Sequence, residues 1–175
     1  MCGTCDDDSS NDCMHYGIIL DGLDLVSFYA LPEDNSIENV LSGIEGLNPS
    51  IVGEGTSATF SNNLGWIGGL LSIDRQDGYW ITLTGETDSL HLEGLPANPE
   101  TVYSLHEGPN LISFPDSGSV DLGSAIPDDV EDLFIAIIGE GVSAINTDNG
   151  WAGSLTGFQG GAGYWVIVQE DLSFS

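Results

Sequence analysis

Gly22-Leu23-Asp24-Leu25-Val26-Ser27-Phe28 returns 86 residues later as Gly108-Pro109-Asn110-Leu111-Ile112-Ser113-Phe114, and this recurrence decides how the chain is read. Three further blocks return in the same order. Gly53-Glu54-Gly55-Thr56-Ser57-Ala58 reappears as Gly139-Glu140-Gly141-Val142-Ser143-Ala144. After a one-residue deletion that makes the shift 85, Gly65-Trp66-Ile67-Gly68-Gly69-Leu70 matches Gly150-Trp151-Ala152-Gly153-Ser154-Leu155, and Gly78-Tyr79-Trp80-Ile81 matches Gly163-Tyr164-Trp165-Val166. All 4 tryptophans fall in repeated positions, so the repeat is tied to the residues most costly to misplace. A unit of about 80 residues is long enough to be a small domain, not a solenoid turn that needs its neighbours. The chain divides into a Cys- and Asp-rich segment at 1–15, a first module at 16–94, a two-proline linker at 95–101 and a second module at 102–175.

Within each module the hydrophobic period switches. Residues 23–28 and 110–114 are short, apolar and bounded by Gly or Pro, and read as strands. A helix follows in module 1, capped by Asn35 or Ser36, with Ile37, Val40, Leu41 and Ile44 on one face and Gly46 and Pro49 ending it. Its counterpart in module 2 is expected to be shorter, capped by Ser119, with Val120, Leu122, Ala125 and Ile126 as its apolar set and Pro127 as its stop. Three further strands are expected in each module, at 50–60, 65–73 and 78–84 and at 133–145, 150–158 and 163–169, then a closing strand at 89–93 and 172–175. The expected class is α+β, mostly β: two tandem copies of a small antiparallel sheet or partly open barrel, each with one short covering helix.

Charge narrows the functional classes. The 175 residues carry 28 acids against one base, Arg75, for a formal charge of −27. Phosphate recognition needs clustered Lys and Arg, so nucleic acid is excluded as a partner, and docking on anionic lipid is argued against on the same ground. No apolar run approaches the roughly 18 residues a membrane-spanning helix needs. Hydrophobic residues nevertheless make up 41% of the chain, enough for a folded core. With almost no cationic partners, salt bridges cannot hold the fold, and bound cations or high ionic strength become plausible helpers.

The aromatic blocks have two readings. A glycine before Trp66, Trp151, Tyr79 and Tyr164 lets the backbone bend while a large ring caps the core. Alternatively, Trp66, Tyr79, Trp80, Trp151, Tyr164 and Trp165 form ligand or interface surfaces that stack on sugar rings beside Asp and Asn. Adjacent Tyr79 and Trp80 must point to opposite faces of a strand, so one ring is core and the other is available. Glu54 and Glu140, each between glycines, are the best carboxylate candidates for chemistry. A Gly-Glu-Gly turn present twice reads more simply as strand-bend geometry, and His15, His91 and His106 occupy no repeated position, so the chain is read as not an enzyme.

In the amino-terminal segment Asp6, Asp8, Ser10 and Asp12 place oxygen donors at alternate residues, as the first half of a calcium loop does. Cys2, Cys5, Cys13 and His15 also match the inventory of a tetrahedral zinc site. Ca2+ is the one candidate cofactor, set against a plain solvated acidic tail, and the preferred cysteine reading is a disulfide inside the segment with one cysteine left to pair with another chain or with residues outside this sequence. No basic or apolar leader follows Met1, so the chain reads as part of a longer precursor or as delivered by assembly.

The blocks at 111–115, 139–144, 150–155 and 161–166 resemble tandem modules of large secreted or virion-associated proteins from marine bacteria and their phages. Members of that group often open the first block with Gly-Trp-Asn, where Leu23 and Pro109 stand here. The segment from Cys5 to Cys13 is similar to short Asp- and Cys-rich repeats, associated with calcium, that precede such modules. The resemblance implies an extracellular, cell-surface or virion-surface building block with no catalytic activity. The expected partners are copies of itself or other structural proteins in a fibre, particle surface or cell-surface layer. Adhesion to polysaccharide through exposed Trp and Tyr is the alternative.

Overall fold

The computed structural model describes residues 12–84, 88–98 and 100–175. It is mostly β with short helices, as expected. Module 1 runs β1 (Met14–Leu20), β2 (Leu23–Ser27), β3 (Ala30–Leu31), α1 (Ile37–Val40), a 3-10 turn at Ser42–Leu47, β4 (Ser50–Gly53), β5 (Thr56–Ser61), β6 (Gly65–Gly68), β7 (Gly78–Thr82) and β8 (Asp88–Pro96). Module 2 runs β9 (Tyr103–Leu105), β10 (Gly108–Ile112), β11 (Ser119–Asp121), α2 (Leu122–Ala125), α3 (Asp128–Glu131), β12 (Phe134–Gly139), β13 (Val142–Thr147), β14 (Gly150–Gly153), β15 (Gly157–Gln159), β16 (Tyr164–Val168) and β17 (Leu172–Phe174).

Each module is built on a five-stranded antiparallel sheet of the same order: β2-β7-β4-β5-β6 in the first and β10-β16-β12-β13-β14 in the second. Cross-strand rows show why. Ile81, Ile51 and Ala58 lie side by side on one face of the first sheet, and Val166, Ile137 and Ala144 on the same face of the second. All six are buried, each row at the centre of its own core. Burying a large aliphatic chain contributes about 1.5–3 kcal/mol, so these rows carry much of each module's stability.

The expected single strands at 50–60 and 133–145 are hairpins. Gly53 pairs with Thr56 and Gly139 with Val142, leaving Glu54-Gly55 and Glu140-Gly141 as two-residue turns, with Gly55 at φ +70. A continuous strand would have put half of each apolar set on the wrong face. Helices differ too. Ser36 caps α1, its side chain accepting from the Asn39 N–H, but the expected single helix breaks into α1 and a 3-10 turn that closes at Asn48 in the left-handed region. In module 2 Ser119 is in a strand, and Asp121 takes the cap position of α2. Pro127, expected only to stop a helix, also precedes α3, so two short helical pieces cover each module instead of one.

Three smaller sheets complete the molecule, one in module 1 and two in module 2. In module 1, β8 lies between β1 and β3, whereas in module 2, among the described residues, β17 pairs with β9 and β11 with β15. The linker expected at 95–101 begins inside β8, where Leu95 pairs with Leu31 and Pro96 with Ala30.

Candidate functional site

The repeated aromatic residues separate into three kinds. Tyr79 and Tyr164 are buried, and each hydroxyl accepts a backbone N–H, from Asp74 and from Gln159, at 2.8 Å in both cases. Desolvation pushes both phenols above their ordinary range. These two rings are core, which removes them from the ligand-binding set. Trp66 and Trp151 are half-buried against their cores, and each indole N–H donates to a helical carboxylate, Glu45 at 3.1 Å and Glu131 at 2.7 Å. Glu45 and Glu131 are themselves 86 residues apart, a repeated pair that sequence reading missed although the shift was sufficient to find it.

Trp80 and Trp165 are the third kind. Their strand neighbours Tyr79, Ile81, Tyr164 and Val166 point into the cores, so both indoles lie on the opposite, outward sheet faces, half-buried. Trp80 sits between Leu25 and Val52, and Trp165 between Leu111 and Ile138. The outward Val52 and Ile138 are 45% and 40% exposed, so each module presents an aromatic-aliphatic strip.

The Gly-Glu-Gly turns reach across the molecule. Glu140 Oε2 accepts from the Leu25 N–H at 2.9 Å, and Glu54 Oε2 accepts from the Leu111 N–H at 2.8 Å. Each turn thus caps an amide of the other module, at repeat-equivalent positions. The surrounding bonds follow the same two-fold logic. Ser27 N–H donates to Gly161 O and Ser113 N–H to Gln76 O, both at 2.9 Å, and Val26 bridges Ala162 as Ile112 bridges Asp77. Ser27 and Ser113 are buried, and their hydroxyls donate to the carbonyls of Ala162 and Arg75. Leu25 and Leu111, at 3% and 2% exposure, belong to neither core and fill this joint.

Close packing explains another repeated glycine. A Cβ on Gly78 would lie 2.8 Å from Ile112 O and 3.0 Å from Leu111 Cδ1. One on Gly163 would lie 2.7 Å from Val26 O and 3.0 Å from Leu25 Cδ1. The joint is isologous in form, the same surface used by both partners, with the two partners on one chain. It closes the open edges of β2 and β10, which would otherwise present unpaired backbone groups.

One element of the joint is unpaired by the repeat. His106 Nε2 lies 2.6 Å from Glu54 Oε1, and Nδ1 contacts Glu107 O at 2.9 Å. The Glu54 carboxylate, and secondarily the Glu107 carbonyl, hold the exposed His106 imidazolium above its usual range. Leu20 occupies the corresponding place in module 1. Nearby, Asp77 is pushed up by burial and by Asp74, with Glu54 adding to it.

Of the expected cation ligands, Asp6, Asp8 and Ser10 lie outside the described residues, as do Cys2 and Cys5. Asp12 is described and half-buried. Cys13 is disulfide-bonded, which denies the zinc reading a thiolate, and His15 faces Glu93 at 3.7 Å. Among the described residues no group of three or more His, Cys, Asp or Glu side chains is arranged to hold a metal ion. The carboxylates turn instead to backbone N–H donors: Asp24 to Asp21, Asp34 to Ser36, Asp74 to Gln76 and Asp116 to Gly118. With one base in the chain, amides are the donors within reach. Comparison with protein-family models, curated proteins and solved structures finds no match.

Proposed function

We propose that the chain is a non-enzymatic structural protein, a tandem-module subunit of an extracellular fibre, particle surface or cell-surface layer. The observation that carries this reading is the reciprocal joint. Glu54 and Glu140, the positions that could have carried duplicated chemistry, are spent, together with Gly78 and Gly163, on holding one module against the other. A joint that closes two sheet edges gives a unit fit to transmit load. Calcium on the amino-terminal acidic run is part of the proposal, as a link that would offset the repulsion of −27 between neighbouring subunits. Size measurement of the purified protein with and without calcium and with and without reductant tests it. Assembly beyond the monomer in calcium or without reductant is the expected result, and a monomer under every condition contradicts it.

A specific observation also favours adhesion to polysaccharide. Trp80 and Trp165 stand at equivalent places on outward faces, each flanked by aliphatic side chains. Such rings can stack on sugars. Glycan-array binding lost in Trp80→Ala and Trp165→Ala would support this reading, and no binding to any glycan would dismiss it.

A further inference from the structure

Arg75 is the single base among the 175 residues, and there is no lysine. Endoproteases that cut after basic residues seat an extended arginine or lysine side chain in a pocket of their own, so Arg75–Gln76 is the one bond in this sequence open to them. That bond lies in the connection between β6 and β7, against the joint. The position equivalent to Arg75 in module 2, 85 residues on, is Gly160, so one half of the joint carries the site and the other does not.

The site is held away from the extended form that a protease needs. The Arg75 carbonyl accepts the Ser113 hydroxyl, and the Gln76 carbonyl accepts the Ser113 N–H at 2.9 Å. Gln76 N–H turns back to Asp74 Oδ1 at 2.9 Å, which bends the chain at the scissile bond. On either side, Asp74 N–H donates to the buried Tyr79 hydroxyl and Asp77 bridges Ile112. The guanidinium is folded onto β3, Nη2 donating to Leu31 O at 3.1 Å. Its Nε is buried without an acceptor among the described residues, a donor that release into water would satisfy. The segment is fastened chiefly by Ser113 and Ile112 of the other module, so parting of the modules frees it.

We infer that Arg75–Gln76 is a guarded processing site, cut by an endoprotease specific for basic residues when the joint opens. Hydrolysis consumes one water: the C–N bond between the two residues breaks, leaving a carboxylate on Arg75 and a protonated amine on Gln76. The cut puts β7 on one fragment and both of its sheet neighbours, β2 and β4, on the other. Fragments that drift apart are no longer tethered at high effective concentration, so a reversible opening becomes permanent. Only the joint is needed for this, whether the protein assembles into a layer or adheres to glycan.

Trypsin added to the full native chain, with fragments read by mass spectrometry over time, tests this. Cleavage after Arg75 is expected to be at least about a hundredfold slower than in a synthetic peptide copying residues 70–80, which carries the same acidic flanks. Ser113→Ala should speed it at least about tenfold, and so should Glu54→Ala, which loosens the same half of the joint without a hydrogen bond to residues 74–77. In low urea the rate should rise less steeply than the unfolded population measured on the same samples, because opening the joint exposes less surface than unfolding both modules. Native cleavage as fast as that of the peptide, variants cut no faster than wild type, or rates that track global unfolding in every variant and at every urea concentration would overturn the inference.

Discussion

Glu54 occupies a turn in one module and acts on the other. Its two oxygens divide the work, Oε2 on the Leu111 N–H and Oε1 on His106, while Glu140 performs only the first task on Leu25. Removing either carboxylate leaves a part-buried amide without its acceptor. Glu54→Ala and Glu140→Ala should each cost about 1–3 kcal/mol in urea unfolding, and Glu→Gln less, since an amide oxygen still accepts. His106 adds a pH dependence on one side of the joint. Its folded pKa is raised, so the contribution of the His106–Glu54 pair is fully present below the unfolded value of about 6.5 and fades as pH rises through the raised value. The pair is exposed and screened by salt, so the effect should be small and confined to low ionic strength. Unfolding midpoints of wild type and His106→Gln should converge as pH climbs past that window. A constant difference from pH 6 to 9 would remove His106 from the account.

At the scale of elements, the repeated Gly-Trp-x-Gly block builds a bent edge strand. Gly68 and Gly153 have φ of +148 and +154, and a Cβ on them would meet Ser57 O at 2.2 Å and Ser143 O at 2.1 Å. Those carbonyls each accept two amides, from Gly69 and Leu70 and from Ser154 and Leu155, as the chain turns off the sheet. Gly153→Ala should therefore destabilise the protein by at least about 1–3 kcal/mol in thermal or urea unfolding, whereas Gly46→Ala, with nothing near its added carbon, should be close to neutral. The α+β, mostly β class was legible because apolar alternation is a local signal, and the strands nearest the repeated blocks, β2, β7, β10 and β16, fall close to where they were expected. The hairpins were not read, because Gly-Glu-Gly lies inside an apolar run and its place as a turn shows only in the pairing of Gly53 with Thr56 and of Gly139 with Val142. The helix of module 2 was misplaced because Ser119 and Asp121 are both good caps, and only the pairing of β11 with β15 chooses between them. The role of Glu54 and Glu140 was out of reach: a contact across 57 and 115 residues leaves no periodic trace.

For the whole molecule, two similar cores are joined through positions that the repeat itself preserves, and carboxylates among the described residues turn toward backbone amides, as Glu54 and Glu140 do, or toward indole N–H groups, as Glu45 and Glu131 do. Like charges must meet if subunits pack together, so association is expected to strengthen with salt or divalent cations and to rely on apolar groups such as Ile67 and Leu71, 51% and 73% exposed. Sedimentation across salt concentrations checks this. Ile67→Lys should weaken association while shifting stability by no more than about 0.5 kcal/mol, and association that weakens with added salt would argue against it. The central claim is that each module's Glu turn holds the other module's strand, and amide hydrogen exchange reads it directly. In wild type, the Leu25 and Leu111 amides should be protected like sheet interior. In Glu140→Ala the Leu25 amide should lose protection while Leu111 keeps it, and in Glu54→Ala the reverse should hold. Rapid exchange of both amides in the wild type, or loss of protection on the same module as the substitution, would contradict the joint.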